Sequence, residues 1–180
     1  METQNFKLER AKSNIDWIGR KVTGSHNGTI DVKEGIFVFN NGKLLEGKVV
    51  IDTTSLKILD ITDPNTNAQF AGHLASDDFF NSTEYPEAQF VITSAIPNNS
   101  GKTHVEGNLT IKGITHATAF DALINSNDDN VTLAGKIIID RTKYGIKFRS
   151  GNFFKDLGDT LIHNEFELNV YVTASKELIA

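Results

Sequence analysis

The chain has no cysteine among its 180 residues. That absence removes disulfides, thiolate nucleophiles and cysteine metal sites together, and leaves histidine and carboxylate chemistry as the available repertoire. Runs of Lys or Arg are also missing, and the formal net charge is −5. The counterion release that drives binding to nucleic acid or anionic membranes therefore has no patch to act from, and no nucleic-acid partner is expected. Nor does any apolar run approach the roughly 20 residues that span a bilayer, so stable membrane insertion is not expected. The opening METQNFKLER lacks the basic start and apolar centre of a signal peptide, which points to the cytoplasm for the chain as given and to the periplasm if a leader was removed.

What is present is a chain long enough for one domain, expected over residues 1–180, which at this size buries roughly 70% of its unfolded surface. Period-two alternation dominates it. Val105, Gly107, Leu109 and Ile111 alternate with polar neighbours, as do Phe166, Leu168, Val170 and Val172. Val131, Leu133, Ile137 and Ile139 continue the pattern through Gly135, and each set predicts a strand with one face toward a core. Further strands are predicted over 15–22, 29–32, 36–40, 47–58, 88–96 and 117–125. Asn40-Asn41-Gly42, Lys112-Gly113 and Asn127-Asp128-Asp129-Asn130 supply turn chemistry between them. About eight antiparallel strands must stack as two sheets or close on themselves, because open edges invite aggregation. A barrel of that size encloses space for side chains or for one small apolar ligand.

The connection from Asp60 to Pro86 is too long for a hairpin loop. Asp63 before Pro64 reads as a helix start, with a carboxylate to cap free N–H groups and a proline where no donor is needed. Phe70, His73 and Leu74 then share a helical face. Ser76 before Asp77-Asp78-Phe79-Phe80 reads as a second cap opening a short turn. A smaller irregular segment is expected from Arg149 to Asp159.

This connection carries the chemistry-bearing residues. As an enzyme site it offers Ser76 as nucleophile, His73 as base and Asp77 or Asp78 as orienting carboxylate, but no Gly-x-Ser-x-Gly elbow accompanies them. As a metal site it offers His73 and Asp77 on one helical face, without the spacing that would supply further ligands. Capping and a surface histidine is the plainer reading of both. His26, His104, His116 and His163 lie on separate strands and loops, where structural roles are expected. Phe70, Phe79, Phe80, Tyr85 and Phe90 form an aromatic cluster that reads either as a core cap or as the mouth of an apolar pocket. Arg141, in Asp140-Arg141-Thr142 followed by Tyr144-Gly145, offers donors for a polar headgroup, or a structural pair with Asp140.

The order of motifs resembles the YceI-like family. Trp17-x-Gly19, then GHLASDDFFNSTEYPEAQF from Gly72, then Gly107-Asn108-Leu109-Thr110-Ile111-Lys112-Gly113, then Asp140-Arg141-Thr142-x-Tyr144-Gly145 carry the resemblance from about Ile15 to Thr173. It implies an all-β, antiparallel, lipocalin-like barrel of about eight strands with a short helical connection. It also implies an apolar tunnel for an isoprenoid or other lipid-like partner, with no catalytic activity, no cofactor and no metal. The alternative is a hydrolase or metal-dependent enzyme built on His73 and Asp77 or Asp78. The positions carried over as ligand contacts are His73, Leu74, Phe79, Phe80 and Tyr85 with Phe90, and Arg141 with Tyr144. Whether the chain forms a homodimer is left open.

Overall fold

The computed structural model describes residues 3–151, 155, 157, 158 and 161–177. Its described residues form nine strands: β1 (Thr3–Leu8), β2 (Asn14–Lys21), β3 (Gly24–Asn40), β4 (Lys43–Ile58), β5 (Glu87–Pro97), β6 (Thr103–Ile111), β7 (Ile114–Ser126), β8 (Asn130–Asp140) and β9 (Ile162–Lys176). One helix, α1 (Pro64–Ala75), joins β4 to β5. The strands of the described residues pair antiparallel throughout, and the order runs β3-β4-β5-β6-β7-β8-β9. Closure comes from β1 and β2, which share the place between β9 and β3. β2 pairs with the start of β3 and β1 with its end, and the short 3-10 turn Arg10–Lys12 lies between them. The nine strands therefore occupy eight positions in a closed barrel, which leaves no open edge to manage.

Closure corrects two details of the sequence reading. The strands predicted over 29–32 and 36–40 are one strand, because the break in alternation at Lys33-Glu34-Gly35 is a register shift and not a turn. β1 was not predicted. Its Phe6 and Leu8 are buried, and both of its partners, the end of β3 and the end of β9, are distant in sequence.

Inside the barrel, three strand glycines each face a phenylalanine ring. A Cβ on Gly47 would lie 2.8 Å from the Phe37 ring, one on Gly107 2.6 Å from Phe90, and one on Gly135 2.7 Å from Phe120. The missing side chains let these rings lie across the interior, which is the close-approach meaning of a glycine within a strand. Phe90 and Phe120 meet with centroids 5.9 Å apart, and Phe6 meets Phe39 at 5.3 Å. Aromatic rings thus fill the half of the barrel that holds the end of β3 and the start of β4.

The other end is covered by α1. Asp63 caps the helix as its sequence predicts, accepting hydrogen bonds from the Thr66 backbone N–H (3.0 Å) and hydroxyl (2.6 Å). Asn67 ties the helix to the strand end by donating to the Ile58 and Ile61 carbonyls, both at 3.0 Å. Ser76 closes α1, its backbone N–H and hydroxyl both donating to the His73 carbonyl, and the expected short turn follows over Asp77 to Phe80.

The bonds from Thr66 hold the Asp63 carboxyl below the ordinary aspartate value. A depressed carboxyl stabilises the fold above its unfolded pKa, and that contribution is lost as pH falls through the folded value. Amide exchange at Thr66 and Asn67 is therefore expected to quicken, relative to amides inside the barrel, on going from about pH 5 to below about pH 3. Equal protection of the helix start at both pH values would show that the cap contributes nothing.

Candidate functional site

Above the aromatic layer, beneath α1, the barrel holds a cavity of about 460 Å³. Its depth is apolar: Trp17, Ile30, Ile51, Leu109, Ile139 and Leu168 point inward from six strands or strand ends. Inward direction at these positions follows from the strand alternation: all but Ile51, which adjoins the buried Val50, are buried between more exposed neighbours. A second cavity of about 40 Å³ lies further in and shares Ile51, Leu109, Ile139 and Leu168 with the first, so the apolar space continues along the axis until the Phe90 and Phe120 rings.

Helix α1 supplies one wall. Phe70, His73 and Leu74, placed on one face by their helical spacing, all line the cavity. The His73 ring stands edge-on to Phe79 (5.0 Å) and to Phe148 (4.7 Å), while its Nε2 lies 3.0 Å from an Asp78 carboxylate oxygen. Phe80 and Phe166 meet at 6.2 Å and line the cavity beside them. Across the mouth, His26 packs against Phe70 at 4.8 Å and lies 2.8 Å from Asp60. Burial works to raise the Asp60 carboxyl, but the Asn27 backbone N–H and the His26 ring outweigh it and hold it below the ordinary aspartate value.

Arg141 enters the wall from the end of β8 and is only 4% exposed. Its Nε donates to the His163 carbonyl (3.0 Å), Nη1 to the Ile146 carbonyl (2.9 Å) and Nη2 to the Ile162 carbonyl (3.1 Å). One guanidinium thereby ties the β8 end to the β9 start. Burial draws its pKa below the ordinary arginine value, with Asp140 acting the other way. Asp140 does not pair with it by hydrogen bond; it caps the short turn Arg141–Tyr144, accepting from the Thr142 backbone N–H and hydroxyl. That turn ends on Gly145 at φ 75, a left-handed position glycine adopts without steric cost.

Of the positions the sequence proposes as ligand contacts, His73, Leu74, Phe79, Phe80 and Arg141 line the larger cavity. The other three stand apart from it. Phe90 borders the smaller cavity. Tyr144 is 2% exposed beneath His116, at 5.3 Å, and burial raises its phenol pKa. Tyr85 lies against Gly113, and its carbonyl accepts from Thr53 at 2.7 Å. The hydrolase arrangement is not assembled: the Ser76 hydroxyl bonds to the His73 carbonyl instead of the ring. Among the described residues, no three His, Asp or Glu side chains converge with metal-ligand geometry.

Local sequence does not group several of the cavity residues. Trp17, His26, Phe148, Arg149 and His163 come from four separate stretches that only barrel closure brings together. Three of the five histidines, His26, His73 and His163, meet at this one mouth. Arg149 stands at φ 49, a conformation rare outside glycine, and its guanidinium lies 4.9 Å above the Phe148 ring. The expected irregular segment around it lies partly outside the described residues.

Similar folds and sequences exist. Burkholderia cenocepacia BcnA superposes with a TM-score of 0.70 at 23% identity, covering 93% of this chain and 99% of that one. A polyisoprenoid binding domain from Saccharophagus degradans superposes at 0.67 with 12% identity, covering 96% and 98%. Protein YceI of Shigella flexneri is 34% identical over 134 residues, 73% of this chain and 65% of that protein. A UPF0312 protein of Shewanella denitrificans is 32% identical over 95 residues, 53% of this chain and 47% of its own length. The chain thus spans about half to two thirds of the length of these last two relatives. The YceI-like domain matches residues 6–174, nearly the whole barrel with its helical cover, and the chain belongs to that family.

Proposed function

We propose that this barrel binds one long-chain apolar or amphiphilic molecule and sequesters or carries it without transforming it. The candidates are a polyisoprenoid, an isoprenoid quinone or a fatty-acid derivative. The observation that carries the reading is the 460 Å³ cavity, apolar in depth and open beside a single helix. Its size falls within the range of small-molecule sites, roughly 300–1,000 Å³. Burying one methylene contributes about 0.8 kcal/mol, so ten in a dry tunnel outweigh the several kcal/mol that association costs. The polyisoprenoid binding described for the Saccharophagus degradans neighbour agrees with this chemistry. In this reading residues 1–180 act as one binding domain. Leu74, Phe79 and Phe80 enclose the chain, and His73 and Arg141 face its polar end. Phe90, Tyr85 and Tyr144 support the wall.

Trp17 is the only tryptophan and lines the cavity, so its emission reports occupancy. Titration with a long-chain isoprenoid alcohol is expected to shift or quench that emission saturably, at one molecule per chain. An emission unchanged by isoprenoid, quinone and fatty-acid probes alike would overturn the reading.

A further inference from the structure

Among the described residues, four permanent cations line the cavity, Arg20, Lys21, Arg141 and Arg149, against a single carboxylate, Glu165. This bias runs against the chain as a whole, whose formal charge is −5. The four are not equivalent. Arg20 is paired with Glu167 at 2.8 Å. Arg141 is buried and donates only to backbone carbonyls, so no carboxylate within hydrogen-bond distance neutralises it. Arg149 is exposed, lies over the Phe148 ring and has no carboxylate partner among the described residues; Lys21 is likewise unpaired there. The carboxylates nearest the histidines, Asp60 and Asp78, are engaged by His26 and His73 and do not line the cavity.

A cation held in a low-dielectric wall interacts strongly with whatever charge shares that wall, and guanidinium groups bind acid oxygens through two parallel donors. Three N–H bonds of Arg141 go to carbonyls, and a guanidinium has five. From this arrangement we infer that the natural ligand ends in an acid group, a carboxylate or a phosphate, received at the mouth by Arg149 with Arg141 behind it. The apolar chain then runs inward past Trp17 toward Leu109 and Leu168. This inference rests on the binding reading above and narrows its ligand class from amphiphiles in general to acidic ones.

The test uses one farnesyl chain carrying four different ends, phosphate, carboxylic acid, alcohol and amine, each titrated against Trp17 emission below its aggregation concentration. Both acids are expected to bind at least about tenfold more tightly than the alcohol, and the amine most weakly. The preference should shrink as salt is raised, because part of it is exposed charge at Arg149 and Lys21. Arg141 ties two strands together, so its replacement risks the fold; Arg149→Gln is the informative variant. It should weaken acid binding severalfold more than alcohol binding, so that the preference for acids shrinks. A larger preference for phosphate than for carboxylate identifies a prenyl phosphate as the class, and the reverse identifies a fatty or isoprenoid acid. Equal binding of alcohol and acids, or tightest binding of the amine, overturns the acid-group inference and leaves chain binding intact. No response to any of the four overturns both.

Discussion

Gly28→Ala is expected to lower the melting temperature by about 6–12 °C, the largest stability effect of any single methyl group added to this barrel. Gly28 is buried in β3 between Trp17 on β2 and Ile58 on β4. A Cβ there would stand 1.7 Å from the Lys57 carbonyl oxygen and 2.7 Å from the Trp17 ring. The indole crosses over the glycine so that its Nε1 donates to that same carbonyl at 3.1 Å. Backbone on one side and a locked ring on the other leave the methyl no flexible neighbour to displace. Strands β3 and β4 must separate locally, or the indole must abandon its hydrogen bond and turn into the cavity. Overpacking of this kind costs about 3 kcal/mol. Scanning calorimetry checks the shift, and Trp17→Phe in the same background should recover part of it, because the two sites are coupled through contact. A variant melting within about 2 °C of the parent would mean that the close approach is not present in solution.

Ala88→Phe is expected to weaken long-chain ligand binding by more than about a hundredfold while leaving stability unchanged or slightly raised. Ala88 is 7% exposed and lines the cavity from β5, with Ile51 opposite it on β4. Ile51 is apolar, and because Ala88 lines the cavity the added ring projects into existing space instead of into packed atoms. Filling a cavity recovers the dispersion contacts that its walls lack, so no overpacking penalty is expected. The ligand loses the volume the ring takes. Isothermal titration with the same isoprenoid, run beside calorimetry, separates the two effects. Undiminished affinity in a folded variant would place the ligand outside this cavity.

The barrel was legible because its strands advertise one buried face each. Val105 to Ile111 and Phe166 to Val172 alternate in sequence, and burial follows that alternation through the first stretch and from Leu168 to Val172 in the second. The helix was legible from Asp63-Pro64 and from the spacing of Phe70, His73 and Leu74, three residues that do reach the cavity. Closure was not. β1 is short, and its worth depends on partners that lie at residues 36–40 and 174–176. The long β3 presents two strand patterns in sequence because a bulge at Lys33-Glu34 interrupts the period of two.

The site divides along the same line. Residues that share one local element, such as His73 and Leu74, could be grouped from spacing. Trp17, His26, Arg149 and His163 could not, since what unites them is the geometry of strand ends around one mouth. Tyr144 illustrates the converse. It belongs to the motif beside Arg141, yet the turn sends its ring under His116 while Arg141 points to the cavity. Motif adjacency identified the segment without saying which side chain faces the ligand. Gly107 and Gly135 fall within the strand patterns read from sequence and Gly47 at the start of one, but the task of these glycines in seating Phe90, Phe120 and Phe37 depends on cross-strand register.

The central claim, that the cavity holds one long-chain molecule, is tested most directly by native mass spectrometry of the purified protein followed by analysis of its organic extract. The expected result is a mass excess of one amphiphile per chain, absent from Ala88→Phe and recovered in the extract as an isoprenoid or acyl compound. A wild-type protein that carries no such mass, and acquires none after incubation with isoprenoid and fatty-acid mixtures, would contradict the claim.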